Sequence, residues 1–403
     1  MLPPPSPIAV FSFAYEPFWG GAEVALREIT RRIKNRHFTI FTYRFSREWE
    51  KEMHTDAVNV VRVGRGTTLP PYERSMFEKC VYVWKAWRKA ERMHREKPFR
   101  GIWAIMASYG GIAALLFKLR HPEIPFLLTL QEGDSEEHIL RRVGIFYFFW
   151  KKIFAKADHV QVISSYLKTF ARKHGATCPI DVVPNGVDIE KLSTVRHSDP
   201  AFAGEESHET TRSFATLRLT HPASTIVTTS RLVHKNGIDI LLRAVARLKH
   251  VRLLIAGEGP LETDLKTLTN ELGITDRVEF LGSVSVSDIP NVLARGDVFV
   301  RPSRSEGLGS SFLEAMAAGL PIIGTPVGGI PDFLKNEETG LFARVDDPED
   351  LARQIERLLT DEPLRARLIK NGMALVAERF RWEKIAGEID SIFSELFRSR
   401  IIV

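Results

Sequence analysis

Short β-rich runs alternate with helical stretches along almost all of this 403-residue chain, and that alternation admits few folds. Strands separated by a helix cannot pair through a tight hairpin. The crossover makes them parallel neighbours, with helices covering the sheet. In the first half, Ile8–Phe13, Phe38–Tyr43, Val58–Val63, Ile102–Met106, Phe126–Leu130, His159–Ile163 and Asp181–Val183 read as strands. Helical stretches such as Glu23–Lys34 and Tyr72–Arg95 lie between them. Residues 190–222 break the rhythm: they are rich in Ser, Thr, His and charge, and read as a linker or insertion. Alternation restarts with Thr225–Thr229, Val251–Ala256, Val278–Leu281, Val298–Val300, Pro321–Ile323 and Leu341–Phe342. The last stretch, Trp382–Phe397, is an amphipathic helix with no strand after it. No fixed-period repeat is present. The expectation is an α/β chain of two similar domains facing a cleft, 1–189 and 223–379, joined by 190–222 and closed by 380–403.

An apolar content of 44% and a charged content of 26% belong to a globular chain rather than a disordered one. Two cysteines, Cys80 and Cys178, sit in unrelated contexts and read as thiols of a reducing compartment. The start, Met1-Leu2-Pro3-Pro4-Pro5, lacks the basic and apolar regions of a signal peptide. No apolar run reaches the roughly 20 residues of a membrane span. The chain is therefore expected to be cytoplasmic. Its net charge of +6 admits nucleic acid as one reading, but no nucleic-acid motif accompanies it. A membrane surface or an anionic substrate accounts for the charge equally well.

The most informative chemistry lies in Pro302-Ser303-Arg304-Ser305-Glu306-Gly307-Leu308-Gly309-Ser310-Ser311-Phe312-Leu313-Glu314. A strand precedes this run and a small-residue helix follows. Glu306 falls in the connecting loop and Glu314 one turn inside the helix. Gly307 and Gly309 allow backbone N–H groups to point outward at the helix N-terminus, where the dipole favours an anion. Amides for a diphosphate, with a carboxylate on either side to accept from hydroxyls, describe a nucleotide-sugar site.

Four further loops invite the same question. Gly20-Gly21-Ala22-Glu23 opens the first long helix, either as a close approach to phosphate or sugar or as a plain helix start. Arg231 and Lys235, in Thr229-Ser230-Arg231-Leu232-Val233-His234-Lys235-Asn236-Gly237, are placed to neutralise a diphosphate leaving group, or belong to a solvated basic loop. Ala256-Gly257-Glu258-Gly259-Pro260 lacks the dinucleotide fingerprint and reads as structural. Pro326-Val327-Gly328-Gly329-Ile330-Pro331 either lines the cleft or is a tight turn.

Taken in order, these runs resemble the retaining GT-B glycosyltransferases of family four, the group 1 transferases. Val183-Pro184-Asn185-Gly186-Val187-Asp188 and Phe380-Arg381-Trp382-Glu383-Lys384-Ile385-Ala386 fall where that family has its own versions. The resemblance covers nearly the whole chain outside 190–222. It implies two Rossmann-like domains, a C-terminal helix returning to the N-terminal domain, and transfer with retention, usually without a required metal ion or other cofactor. By that resemblance Glu314 holds the ribose hydroxyls and Glu306 the donor sugar. Gly309, Ser310 and Ser311 present amides to the phosphates, with Arg231 and a nearby lysine gripping them and Gly21 approaching from the other domain. Two positions depart from the pattern. Gln131-Glu132-Gly133-Asp134 stands where the family often has a His, so a general base falls to Glu132, Asp134 or His138, or to the donor phosphate itself. Asn236 stands where the family's lysine commonly precedes the glycine that is Gly237 here.

The run Arg141–Phe154 is unusually aromatic. At helical spacing Ile139, Val143, Phe146, Trp150 and Ile153 form one core-facing stripe, widened by Ile145, Phe148 and Phe149. Together with Lys79–Arg100, which carries Trp84 and Trp87, it reads as ordinary sheet-covering helices or as a peripheral contact with the inner membrane face. The leading expectation is an enzyme passing a sugar from a nucleotide-diphosphate donor to a glycan or lipid-linked acceptor. The alternative is a nucleotide-sugar-binding protein with little or no activity. An NAD-dependent oxidoreductase is disfavoured by the missing fingerprint, and nucleic-acid binding rests on charge alone.

Overall fold

The computed structural model describes residues 6–17, 20–55, 57–66, 75–197 and 224–398. The chain divides into two units, one of Met1–Asn185 with Trp382–Val403 and one of Gly186–Arg381.

The first unit holds an eight-stranded sheet: β1 (Ile8–Phe11), β2 (Phe38–Tyr43), β3 (Glu52–His54), β4 (Val58–Val63), β5 (Gly101–Ile105), β6 (Phe126–Leu130), β7 (His159–Val162) and β8 (Ile180–Val182). Their order is β3-β4-β2-β1-β5-β6-β7-β8. All neighbours are parallel except β3 and β4. Sequence patterning missed β3, because Glu52-Met53-His54 carries no apolar run and lies on the sheet edge. The central strands are buried throughout, as covering both faces of a parallel sheet requires.

The closing helix Trp382–Arg398 packs in this first unit, as the resemblance implied. Ile385, Ile389, Ile392, Phe393 and Leu396 join its core with Ile8, Phe38 and Trp103. Each such side chain contributes about 1.5–3 kcal/mol when fully buried. Arg36 ties the helix down: it pairs with Asp390, donates to Ser394 at 2.7 Å and lies 5.2 Å from the Phe397 ring centroid.

The second unit has six parallel strands, β9 (Ser224–Thr229), β10 (Val251–Ala256), β11 (Val278–Gly282), β12 (Val298–Val300), β13 (Ile322–Gly324) and β14 (Leu341–Phe342). Their order is β11-β10-β9-β12-β13-β14. The stretch expected as a linker, 190–222, begins with a helix instead. Ile189–His197 packs against helices Ile289–Ala294 and Ser310–Ala317, with Leu192 buried. Residues 198–222 of that expectation lie outside the described residues.

The single aromatic stripe is also corrected. Gly144, at φ +51°, ends helix Glu136–Val143, and a short turn precedes helix Tyr147–Lys156. The break rotates the pattern. Trp150, Ile153 and Phe154 are buried, whereas Phe146 is 68% and Phe148 80% exposed. No residue of helix Glu136–Val143 is buried. On helix Met76–Glu96, Trp84 is 57% exposed, while half-buried Trp87 donates to Glu91 at 3.1 Å.

Candidate functional site

In the second unit the strand order reverses at β9, so the connections leaving β9 and β12 depart in opposite directions. A crevice opens there beyond the carboxyl ends of the strands, the usual ligand position in an open α/β sheet. Three loops close around it, and glycines let them touch. A Cβ on Gly237 (φ +68°) would lie 2.0 Å from the Pro302 carbonyl oxygen, and one on Gly328 (φ +54°) 1.7 Å from that of Glu306. The Gly329 N–H donates to the Glu306 oxygen at 3.1 Å, and the Arg304 N–H to the Lys235 oxygen at 2.6 Å. Arg304 adds a forked pair with Asp239, at 2.8 and 2.7 Å. The turn that read as structural is so: a Cβ on Gly257 would sit 1.9 Å from the Ser230 oxygen.

The loop after β12 places Glu306 over this crevice. Its Oε2 is paired with Arg301, and its Oε1 accepts from the Gly307 N–H at 3.0 Å. The Gly307 amide is therefore spent on Glu306 and does not point outward, which corrects one expectation for this loop. Gly309, at φ +99°, begins helix Ser310–Ala317 with no side-chain cap. Its N–H and those of Ser310 and Ser311 have no partner among the described residues. Three free amides at a helix start are the groups with which helix N-termini commonly hold anions. Glu314 lies one turn further on. It is half-buried, and its carboxylate has no hydrogen-bond partner among the described residues. Burial pushes its pKa up to about 7, opposed by the positive charges of Arg301 and Lys191. Arg231 is exposed and Lys235 half-buried on the loop from β9.

In the first unit, Gly20 precedes helix Gly21–Arg32, and a Cβ on Gly21 would meet nothing within 4 Å. Packing among the described residues does not demand glycine there. At the end of β6 the Gln131 Oε1 accepts from Asn185 at 3.1 Å, and its amide nitrogen has no partner among the described residues. The Glu132 Oε1 accepts from the Ala107 N–H at 2.7 Å, while its Oε2 is buried and unpaired. Burial raises its pKa to about 7, helped by Asp134 and opposed by backbone N–H groups. Of the other proton acceptors considered, His138 is exposed and Asp134 lies 3.5 Å from Arg142. Among the described residues no group of three or more His, Cys, Asp or Glu side chains is arranged to hold a metal ion.

Two family profiles match successive parts of the chain: Glycosyltransferase Family 4 over residues 19–191, and Glycosyl transferases group 1 over residues 210–374. The chain belongs to the group 1, family 4 glycosyltransferases. The GDP-mannose-dependent alpha-(1-6)-phosphatidylinositol monomannoside mannosyltransferase of Mycobacterium tuberculosis is 30% identical over 266 residues. That match covers 62% of this chain and 63% of the relative, so the chain spans less than two thirds of that protein. Sucrose-phosphate synthase from Thermosynechococcus elongatus superposes with a TM-score of 0.81 at 22% identity, covering 98% of this chain and all of that one. Anabaena HepE, solved in complex with UDP and glucose, gives 0.73 at 20% identity, covering 96% and 99%. These structures share the GT-B fold with this chain.

One departure from the family pattern now has a physical account. Asn236 is buried and donates to the Arg231 carbonyl oxygen at 2.7 Å, bracing the turn His234–Asn236 from inside. The position before Gly237 thus faces inward in this chain, while Arg231 is the exposed cation of the loop and Lys235 is half-buried. Sequence reasoning missed Arg301. It is 6% exposed, pairs with Glu306, donates to Ser311 at 2.6 Å and to Ser303 at 3.2 Å, and lies 4.8 Å from the Phe312 ring centroid. A charged residue directly after a fully buried strand was the available signal.

Proposed function

We propose that this glycosyltransferase binds a nucleoside-diphosphate sugar in its second unit and passes the sugar, with retention, to a glycan or lipid-linked acceptor. The observation that carries the reading is the triplet of unpaired amides at Gly309–Ser311, set between the carboxylates of Glu306 and Glu314. Amides and helix dipole take the diphosphate, Glu314 accepts from ribose hydroxyls, and Glu306 accepts from the sugar. Arg231 and Lys235 offset the charge that grows on the departing diphosphate. Glu132, whose pKa lies near 7, is the carboxyl of the first unit suited to proton exchange at neutral pH, beside the Gln131 amide. The GDP-mannose and phosphatidylinositol mannoside in the relative's name, and the UDP and glucose in the Anabaena complex, support this donor chemistry and a lipid-linked acceptor. Exposed Phe77, Trp84, Phe146 and Phe148, interspersed with Lys79, Arg141 and Arg142, support peripheral contact with an anionic membrane face. Among the described residues no helix is long and apolar enough to cross a membrane.

A thermal-shift screen against GDP, GDP-mannose, UDP and UDP-glucose tests the donor reading, because a ligand of the native state raises apparent stability by about 2.7 kcal/mol at a hundred times its Kd. Slow donor hydrolysis that disappears in Glu306→Ala is the expected sign of an enzyme. Tight donor binding with neither hydrolysis nor transfer would favour the binding-protein alternative.

A further inference from the structure

We infer that Arg301 is the positioning residue that aims Glu306 at the donor sugar, so that sugar recognition and diphosphate recognition are held by separable parts of one loop. The inference rests on the donor-site reading above. Arg301 follows β12 directly, and each nitrogen of its guanidinium makes a hydrogen bond. Nε donates to Ser303 at 3.2 Å, Nη1 to Ser311 at 2.6 Å, and Nη2 to the Glu306 carboxylate, with the Phe312 ring beneath. A guanidinium is planar and permanently charged, so fixing two of its edges on Ser303 and Ser311 also fixes the direction of the third group it holds, Glu306. Arg301 and the Gly307 N–H each take one Glu306 oxygen, which sets the plane of the carboxylate and leaves one lone pair on each oxygen for sugar hydroxyls.

Gly309 packs closely against both Arg301 and Glu306. A Cβ on Gly309 would stand 3.3 Å from Arg301 Nη2 and 3.3 Å from Glu306 Cγ. The Ser311 hydroxyl turns inward to Arg301, while its backbone N–H stays with the anion site. Side chains of this segment therefore brace the sugar-facing carboxylate, and its backbone faces the phosphates.

Arg301→Lys is the discriminating change. It keeps a positive charge near Glu314, but one ammonium cannot hold Ser303, Ser311 and Glu306 in a fixed plane. Calorimetric titration at pH 8 compares GDP with GDP-mannose and UDP with UDP-glucose. The expected result is a loss of about tenfold for the nucleotide sugar that binds, and about twofold or less for its nucleoside diphosphate. Glu306→Gln gives the same split, and adding Arg301→Lys to it costs nothing more, because the arginine acts through that carboxylate. Parallel losses for both ligands, or full additivity in the double variant, would overturn the assignment. Should Arg301→Lys fail to fold, Ser311→Ala removes one brace and keeps the amide. It is then expected to show a smaller split of the same sign, and no split would overturn the assignment. A wild-type chain that bound none of the four ligands would fail at the donor-site reading itself, a result distinct from parallel losses in the variants.

Discussion

The two sheets have the same kind of strand reversal, at β1 in one unit and at β9 in the other, yet their crevices are finished differently. In the second unit, loops from β9, β10, β12 and β13 press on one another through Gly237, Gly257 and Gly328, each approaching a backbone oxygen where no side chain fits. Among the described residues this leaves three amides and the Glu314 carboxylate without partners. In the first unit the carboxyl proposed for proton exchange is Glu132, whose Oε1 accepts from the Ala107 N–H. The neighbouring helix Glu136–Val143 buries nothing, and Phe146 and Phe148 face outward. The lesson is that one topology serves two tasks. A seat for a small, charged, invariant group is best built from locked backbone, whereas a surface for a larger acceptor or a membrane is built from side chains left outside the core.

The sharpest way to break this comparison is to place the same methyl group in both units. Gly328→Ala drives a Cβ into the Glu306 backbone and is expected to cost more than about 4 kcal/mol, abolishing nucleotide binding. Gly144→Ala also meets positive-φ strain (φ +51°, ψ −131°) but nothing within 4 Å, and is expected to cost about 1–3 kcal/mol. Equal shifts in thermal unfolding would remove the distinction between a locked and an open loop.

Glu314 sharpens the electrostatic side. With Glu314 proposed to accept from ribose hydroxyls in its ionised form, nucleoside-diphosphate affinity is expected to rise with pH, by at most about tenfold per unit, and to level off above about 7. Glu314→Gln should remove that slope and weaken binding about tenfold at pH 8. Stability moves the opposite way. Between the ordinary carboxylate range and about 7 the native chain keeps a proton that the unfolded chain has released, so this group lowers stability as pH rises through that window. The melting temperature of Glu314→Gln relative to wild type should therefore be higher at pH 8 than at pH 5. A pH-independent difference would mean that burial does not govern this carboxyl.

The smallest effect concerns the exposed aromatics. Replacing Phe146 and Phe148 by Ser should change stability by no more than about 0.5 kcal/mol each and leave nucleotide binding intact. Co-sedimentation with anionic vesicles should fall several-fold, and in the wild-type chain it should weaken with salt. Equal recovery of the wild-type chain with neutral and anionic vesicles would count against the membrane contact.

The chain's alternating pattern was enough to determine the parallel sheets, because a strand buried on both faces has to be written as a continuous apolar run. Every strand of that kind was legible, and only β3, three residues with no such run, was not. The spacing of Glu306 and Glu314 around Gly309 was legible for a similar reason: loop, helix start and first turn are local in sequence. Tertiary structure alone decided what each polar group has left to offer. It spent the Gly307 amide on Glu306, turned Asn236 inward, and set Arg301 against Glu306 and Ser311. It also broke the aromatic stripe at Gly144, turning Phe146 to solvent. Such outcomes depend on which backbone oxygens and side chains arrive from distant strands, and periodicity within one segment carries no information about those partners.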